Sequence, residues 1–154
     1  MIKEKRNKII WFLSLLFISP LALFSQDKSI IVDTIMHKEI KMQLPSDYKR
    51  DLFCYGEGCF LTYYYQDTTN ISIFLGRQQR LPLLHEDNGY YSCSIDTIND
   101  RIISLGKKNG KYWREDVYKE GLRIYYDGVK KDRKSFFDSI LNNFIFKNIE
   151  MKDE

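Results

Sequence analysis

Apolar and polar positions divide this chain into three unlike stretches. Ile9 to Phe24 form sixteen residues without a charge, behind a basic head of Lys3, Lys5, Arg6 and Lys8 and ahead of the polar Gln26-Asp27-Lys28. A long middle stretch then alternates short β-rich runs with turn residues. The end, from Asp132 to Phe144, changes to helical spacing.

The middle stretch predicts a set of strands. Glu39 to Leu44 opens it and stops at Pro45-Ser46-Asp47. Phe60 to Gln66 and Ile71 to Gly76 flank Asp67-Thr68-Thr69-Asn70, a hairpin signal. Arg77 to Asn88 is polar and contains Pro82, which predicts a long loop. Tyr90 to Ile95 and Arg101 to Leu105 are the next strands. Asn109-Gly110 then predicts a tight turn into Lys111 to Tyr118, because both residues tolerate positive φ. Glu120-Gly121 makes another turn, into Leu122 to Asp127.

At the C-terminal end, Phe136, Phe137, Ile140, Leu141 and Phe144 share one helical face, with Lys134, Asp138 and Asn142 opposite. Asp132 is the expected N-cap. One amphipathic helix packed on one face of an antiparallel β-sheet makes an α+β layer architecture.

The first stretch reads as an export signal spanning residues 1–25: basic head, short apolar run, small Ser25 before the cut. The rival is a retained membrane anchor. A spanning helix wants about 20 apolar residues, and this run is shorter and holds Pro20. Cleavage near Gln26 leaves residues 26–154 as a single domain, with its core at about 39–147 and a periplasmic or secreted address. A lipid-anchored form would need a Cys just after the run, and the first is Cys54.

Export changes the charge picture. The leader holds four of the 24 basic and one of the 21 acidic residues, so 20 of each remain. A neutral mature chain gives no reason to expect nucleic acid, or a membrane after cleavage. The cluster Lys130, Lys131, Arg133 and Lys134 is interspersed with acids and reads as a solvated helix start. Ala22 is the only alanine, whereas Tyr and Phe are abundant, a balance that favours strands.

Candidate chemistry is sparse. With only His37 and His85, a multi-His metal site is excluded, and Cys54-x4-Cys59 lacks the second pair a zinc site needs. No metal and no cofactor is expected. The one catalytic constellation available sets Cys93 against His85 as base, with Asp87 or Asp96 orienting it; a structural Cys and a loop His are favoured over it. Glu86-Asp87 reads as loop chemistry. Glu115 and Asp116 are adjacent on a strand, face opposite sides of the sheet and cannot share a site. Tyr63 and Tyr65 share a strand face that Tyr64 does not. The many tyrosines fit core and cross-strand pairing first, with several at a rim where a sugar or peptide could stack.

Cysteine usage follows the compartment. Oxidising surroundings preserve disulfides, and the glycines of Tyr55-Gly56-Glu57-Gly58 let the chain reverse, so Cys54 and Cys59 are expected to bridge across strands at a Cα separation of about 5.5–6 Å. Cys93 is left unpaired.

Two resemblances add to this reading. Met42-Gln43-Leu44-Pro45, Tyr63-Tyr64-Tyr65, Ile71-Ser72-Ile73, Tyr112-Trp113-Arg114, Tyr125-Tyr126 and Phe137-Asp138-Ser139-Ile140-Leu141 together resemble the PsbP/Mog1-type α/β sandwich over residues 39–147. That implies a fold; the group includes accessory and binding proteins without a shared catalytic site. Separately, Asp33-Thr34-Ile35, Asp67-Thr68-Thr69 and Asp96-Thr97-Ile98 resemble the acceptor motif for O-glycosylation of exported proteins in some Gram-negative anaerobes, which implies Thr34, Thr68 and Thr97 as acceptors. Asp138-Ser139-Ile140 repeats it inside the predicted helix. Turn and cap chemistry is the structural alternative. Asn70-Ile71-Ser72 is an N-glycosylation acceptor if the producer is eukaryotic.

The sequence therefore predicts a small exported, non-catalytic binding or interaction domain with a protein or glycan ligand. The alternatives are an envelope enzyme using Cys93 and His85, and a structural component of an envelope complex.

Overall fold

A computed structural model describes residues 28–77, 89, 91–99, 101–119 and 121–149. Among these, ten strands and one short helix follow in the order β1 (Lys28–Ile35), β2 (Lys38–Pro45), β3 (Lys49–Tyr55), β4 (Gly58–Tyr64), β5 (Asn70–Gly76), β6 (Tyr91–Ile98), β7 (Arg101–Lys108), β8 (Lys111–Val117), β9 (Leu122–Val129), α1 (Lys134–Asn142) and β10 (Ile145–Asn148). The architecture is mainly antiparallel β.

Two sheets share these strands: a three-stranded one ordered β1-β2-β10, and a seven-stranded one ordered β3-β4-β5-β9-β8-β7-β6. Every pairing is antiparallel. The smaller sheet and α1 together cover one face of the larger sheet, here called inner. Ile35, Ile40, Met42 and Leu44 from the first layer meet Leu61, Tyr63, Ile71, Ile73, Ile124 and Tyr126 from the second, with Phe137, Ile140 and Leu141 of the helix completing the core. Burying apolar area at about 25 cal/mol per Å² is what drives this closure.

The seven expected strands are present as β2 and β4 to β9, with ends moved by a few residues. The Arg77–Asn88 loop lies almost wholly outside the described residues. Asn109 and Gly110 both take positive φ, at 50° and 75°, as a hairpin turn matched to strand twist requires. Three strands, β1, β3 and the short β10, go beyond the expected set. β1 carries apolar side chains on both faces, Ile31 and Ile35 inward and Ile30 and Val32 exposed, so it has no clean alternation to read. In β3, which lies on the edge of the large sheet, six of seven residues are exposed and no buried stripe marks it.

The helix start departs from expectation. Asp132 is not the N-cap: it lies in a 3-10 turn, Lys131–Arg133, that leads directly into α1, and Arg133 occupies the cap position without a side-chain cap bond. The turn supplies the chain reversal that a capping Asp would otherwise mark. Nor is the cluster there simply solvated, because Arg133 Nη1 pairs with Asp67 at 2.7 Å. Phe144 lies beyond the helix but remains buried.

Candidate functional site

The inner and outer faces of the large sheet use polar residues differently. On the inner face, Arg114 of β8 holds Asp116 in a two-pronged pair, Nε to Oδ1 at 2.7 Å and Nη2 to Oδ2 at 2.9 Å. Arg101 adds a third contact to Asp116 at 3.3 Å. The same Arg114 donates from Nη2 to Asn142 Oδ1 of α1 at 2.8 Å, and Tyr126 donates to Asp138 Oδ1 at 2.8 Å. Lys134 pairs with Asp138 one helical turn on. The polar helix residues Lys134, Asp138 and Asn142 are therefore tied into the sheet's network. Glu115 turns to the outer side and pairs with Arg123 at 3.2 Å, so Glu115 and Asp116 do not share a site.

The outer face holds a groove of about 450 Å³ over β3, β4, β5 and β9. Its shape follows from cross-strand register. One rung across the four strands reads Asp51, Thr62, Ser72, Tyr125. The rung on one side reads Phe53, Phe60, Phe74, Arg123; the rung on the other reads Lys49, Tyr64, Asn70, Asp127. Small hydroxyl side chains therefore sit at the centre of a face whose neighbours are large. Alternation places every one of these residues on the same side, and the missing volume at Thr62 and Ser72 is the groove.

The floor is hydrogen-bonded. Thr62 Oγ1 and Ser72 Oγ lie 3.0 Å apart. Burial pushes the Tyr125 phenol above the ordinary value, and the neighbouring Ser72 hydroxyl acts in the opposite direction. Phe60 packs on Phe74 at 4.7 Å and stacks with Tyr55 at 6.1 Å, forming an aromatic wall that ends in the exposed Phe53. At the opposite wall a bulge in β9 shifts the ladder beside Asp127, with Gly128 at φ 73°. Bulges commonly re-aim neighbouring side chains next to sites. Asp127 Oδ1 accepts the Gly128 N–H at 2.7 Å. No lysine or arginine lines the groove among the described residues.

A second cavity of about 400 Å³ adjoins the first through Tyr64, with Asp47, Tyr48, Lys49, Tyr65 and Gln66 around it. Among the described residues, the buried Tyr65 hydroxyl has no hydrogen-bond partner.

The sequence-predicted residues are distributed as follows. Cys54 and Cys59 form a disulfide at the end of the β3–β4 hairpin, with Cα atoms 4.0 Å apart. The approach is closer than expected. Tyr55 and Gly58 close a two-residue turn, and pairs alternate along an antiparallel ladder, so Cys54 and Cys59 form one of its close, non-hydrogen-bonded pairs. Cys93 is the extra backbone residue of a bulge in β6, between the pairs of Ser92 and Ser94. His85 and Asp87 lie outside the described residues, as do Glu86 and the Cys93 side chain, and Asp96 is exposed on β6. Tyr63 and Tyr65 are buried on the shared inner face while Tyr64 looks outward.

Thr34, Thr68 and Thr97 are all exposed. The aspartates before two of them have structural work: Asp33 binds Arg50 at 2.6 Å and the Tyr63 hydroxyl at 2.9 Å, and Asp67 accepts the Thr69 N–H at 3.2 Å. Asn70 and Ser72 are strand residues lining the groove, Ser72 nearly fully buried, so that acceptor sequence is not presented on an open loop.

Asp51, Phe53, Phe60, Thr62, Ser72 and Asp127 are site residues that motif reading does not reach. The available signal is the alternation Phe60-x-Thr62-x-Tyr64, a small hydroxyl between aromatics on one strand face. Among the described residues, no group of His, Cys, Asp and Glu side chains is arranged to hold a metal ion, and no helix is long and apolar enough to cross a membrane. Compared with known proteins, the chain matches no family model, no curated protein and no solved structure.

Proposed function

We propose that this chain is a small exported, non-catalytic binding domain whose ligand site is the outer-face groove of the large sheet. The observation that carries the reading is the central hydroxyl floor of Thr62 and Ser72, enclosed by Phe53, Phe60 and Tyr64 and by the carboxylates of Asp51 and Asp127. Concave sites with apolar walls and a few convergent polar groups are where small ligands bind. Export is supported by the leader pattern of residues 1–25 and by the Cys54–Cys59 disulfide. The helix packed on an antiparallel sheet is compatible with the α+β reading, which the second sheet β1-β2-β10 goes beyond; the PsbP/Mog1-like reading rests on the sequence resemblance alone.

The test is affinity capture from an envelope extract of the producing cell. The wild-type chain is expected to retain a stoichiometric protein or glycan ligand, and a variant carrying Asp51→Arg with Phe53→Ala is expected to lose it. Both side chains are exposed, so the variant keeps its fold. A ligand retained equally by both proteins, or none retained by either, overturns the reading. Intact mass of the secreted species should correspond to a start near Gln26; a chain retained in the membrane with Ile9–Phe24 would overturn the cleavage.

A second reading, a structural component of an envelope complex, is favoured by one observation. Ile95 and Ile102, 65% and 46% exposed, are diagonal neighbours on the outer face of β6 and β7. Exposed apolar patches mark interaction surfaces.

A further inference from the structure

We infer that the groove takes a neutral saccharide, a short oligosaccharide laid with its C–H face on the aromatic wall and its hydroxyls toward the floor and the two carboxylates. This rests on the reading that the groove is the ligand site and specifies what enters it. The volume, about 450 Å³, lies within the roughly 300–1,000 Å³ of pockets that enclose small ligands.

The groups present fit a polyol on each of its surfaces. Phe53 and Phe60 offer aromatic carbon, Phe53 being 62% exposed on an edge strand. A pyranose ring has an apolar C–H side that such a platform can cover. Around its rim, a sugar carries hydroxyls that both donate and accept, and the groove answers with groups of both kinds. Asp51 and Asp127 accept; the Asn70 amide donates and accepts; the hydroxyls of Thr62, Ser72 and Tyr125 do either. Thr62 and Ser72 use one donor and one acceptor on each other, leaving one hydroxyl hydrogen and the remaining lone pairs for the ligand.

Other ligand chemistries fit less of this surface. A lipid or other aliphatic ligand would cover the hydroxyl floor without bonding it, leaving its donors and acceptors desolvated and unmet. An anionic sugar would meet two carboxylates in the lining, with Lys49 only at the end of a flanking rung and Arg123 paired with Glu115, and like-charge juxtaposition of that kind disfavours a partner. An amine would satisfy the carboxylates but offers no acceptor to the Asn70 amide or to the hydroxyl donors of the floor.

The experiment uses the disulfide-bonded secreted chain, isotope-labelled for amide resonances. Its probes are neutral linear trisaccharides of glucose, mannose, galactose and N-acetylglucosamine, with trigalacturonate and spermidine as charged comparisons. The expected result is that at least one neutral trisaccharide shifts the amides of Asp51, Thr62, Tyr64 and Asn70 and that its affinity is the same at low and high salt, since no net charge is paired. Phe53→Ala is expected to weaken it roughly three- to tenfold while leaving the amide spectrum away from β3 unchanged.

If trigalacturonate binds the groove as tightly as the best neutral probe, or if spermidine alone binds and is displaced by salt, the saccharide assignment is overturned while the groove remains a ligand site. If no neutral probe shifts the groove amides, the saccharide assignment is overturned as well. The ligand-site reading itself falls only if the affinity capture also yields nothing that depends on Asp51 and Phe53.

Discussion

Asp116 on the inner face of the large sheet and Asp51 on its outer face are held in opposite ways. Asp116 and Asp51 are both strand residues with hydrogen-bonding neighbours in register, yet Asp116 is fully buried and gripped by Arg114 and Arg101, whereas Asp51 is exposed at the lip of the groove. On the inner face every acid nearby is committed: Asp116 to two arginines, Asp138 to Tyr126, Lys134 and Arg114. Those groups join helix to sheet. On the outer face, Asp51 makes no ion pair among the described residues and the floor beside it is hydroxyl rather than guanidinium. The difference teaches which acids hold the fold together and which are set to meet something else.

The comparison predicts that the inner network breaks hardest. Arg114→Ala leaves Asp116 buried without its two-pronged partner and Asn142 of α1 without its donor. Removing one member of a buried pair typically costs about 3–5 kcal/mol, so chemical denaturation should show a loss of that size. Replacing both members, with Arg114→Met and Asp116→Leu, should recover part of it, because the buried Asp116 charge leaves with its partner while Arg101 keeps only its bonds to the Tyr118 hydroxyl and the Leu141 carbonyl. A loss below about 1 kcal/mol for Arg114→Ala would show that the network is ornamental.

The two faces also differ in how far the sequence disclosed them. Alternation along β4 and β5 made the core legible: Leu61, Tyr63, Ile71 and Ile73 point one way in any antiparallel pairing. The helical spacing of Phe137, Ile140 and Leu141 did the same for α1. The groove was not legible, because it exists only once Thr62 is opposite Ser72 and both lie between aromatic rungs. Register is set by turns and by burial across strands that are distant in sequence, and Tyr125 lies more than fifty residues from Ser72. Arg114 looked equally ordinary. Its role depends on Asp138 and Asn142 returning over β8 from a helix, which strand periodicity does not encode. The Cys54–Cys59 bridge was legible because spacing and glycines are local.

That bridge is the next effect in size. Replacing both cysteines by serine removes the closure of a loop of roughly six residues, worth about 2 kcal/mol on the chain-entropy model. The fold should persist, since Cys54 is exposed and β3 is still paired along β4. Denaturant midpoints of the two proteins, with and without reductant, check this: reductant should lower the wild type to the variant and leave the variant unmoved.

A smaller, pH-dependent effect belongs to Asp33, where β1 meets β3 and β4. Burial would raise its carboxyl, but hydrogen bonds from Arg50, the Thr34 N–H and Tyr63, with the Arg50 charge, outweigh this and hold it below the ordinary 3.8. The folded value thus lies below the unfolded one. Its contribution is present above the unfolded value and is lost as pH falls through the folded one. Asp33→Asn should therefore cost about 1 kcal/mol at neutral pH and reduce the loss of stability as the solution is acidified below 3.8. Parallel denaturation curves of both proteins across that range are the measurement; equal acid slopes would remove Asp33 from the account.

The smallest effect on stability is expected at the groove, and it is the sharpest test of the comparison. Asp51→Asn keeps the size and shape of the side chain and removes a charge that no described residue pairs with. Exposed substitutions away from packing and networks usually change stability by less than about 0.5 kcal/mol, so the denaturation midpoint should stay with the wild type. Ligand affinity should behave differently. A hydrogen bond to a charged acceptor is worth about 1.5–3 kcal/mol, and the amide that replaces the carboxylate keeps only one acceptor oxygen, so binding should fall roughly tenfold or more. Asp116→Asn on the inner face should invert both readings: a clear loss of stability, because an amide cannot take two guanidinium forks, with groove affinity unchanged in the fraction that remains folded. Equal behaviour of the two variants, in either assay, would mean that the faces of the sheet do not divide structure from binding in the way their geometry indicates.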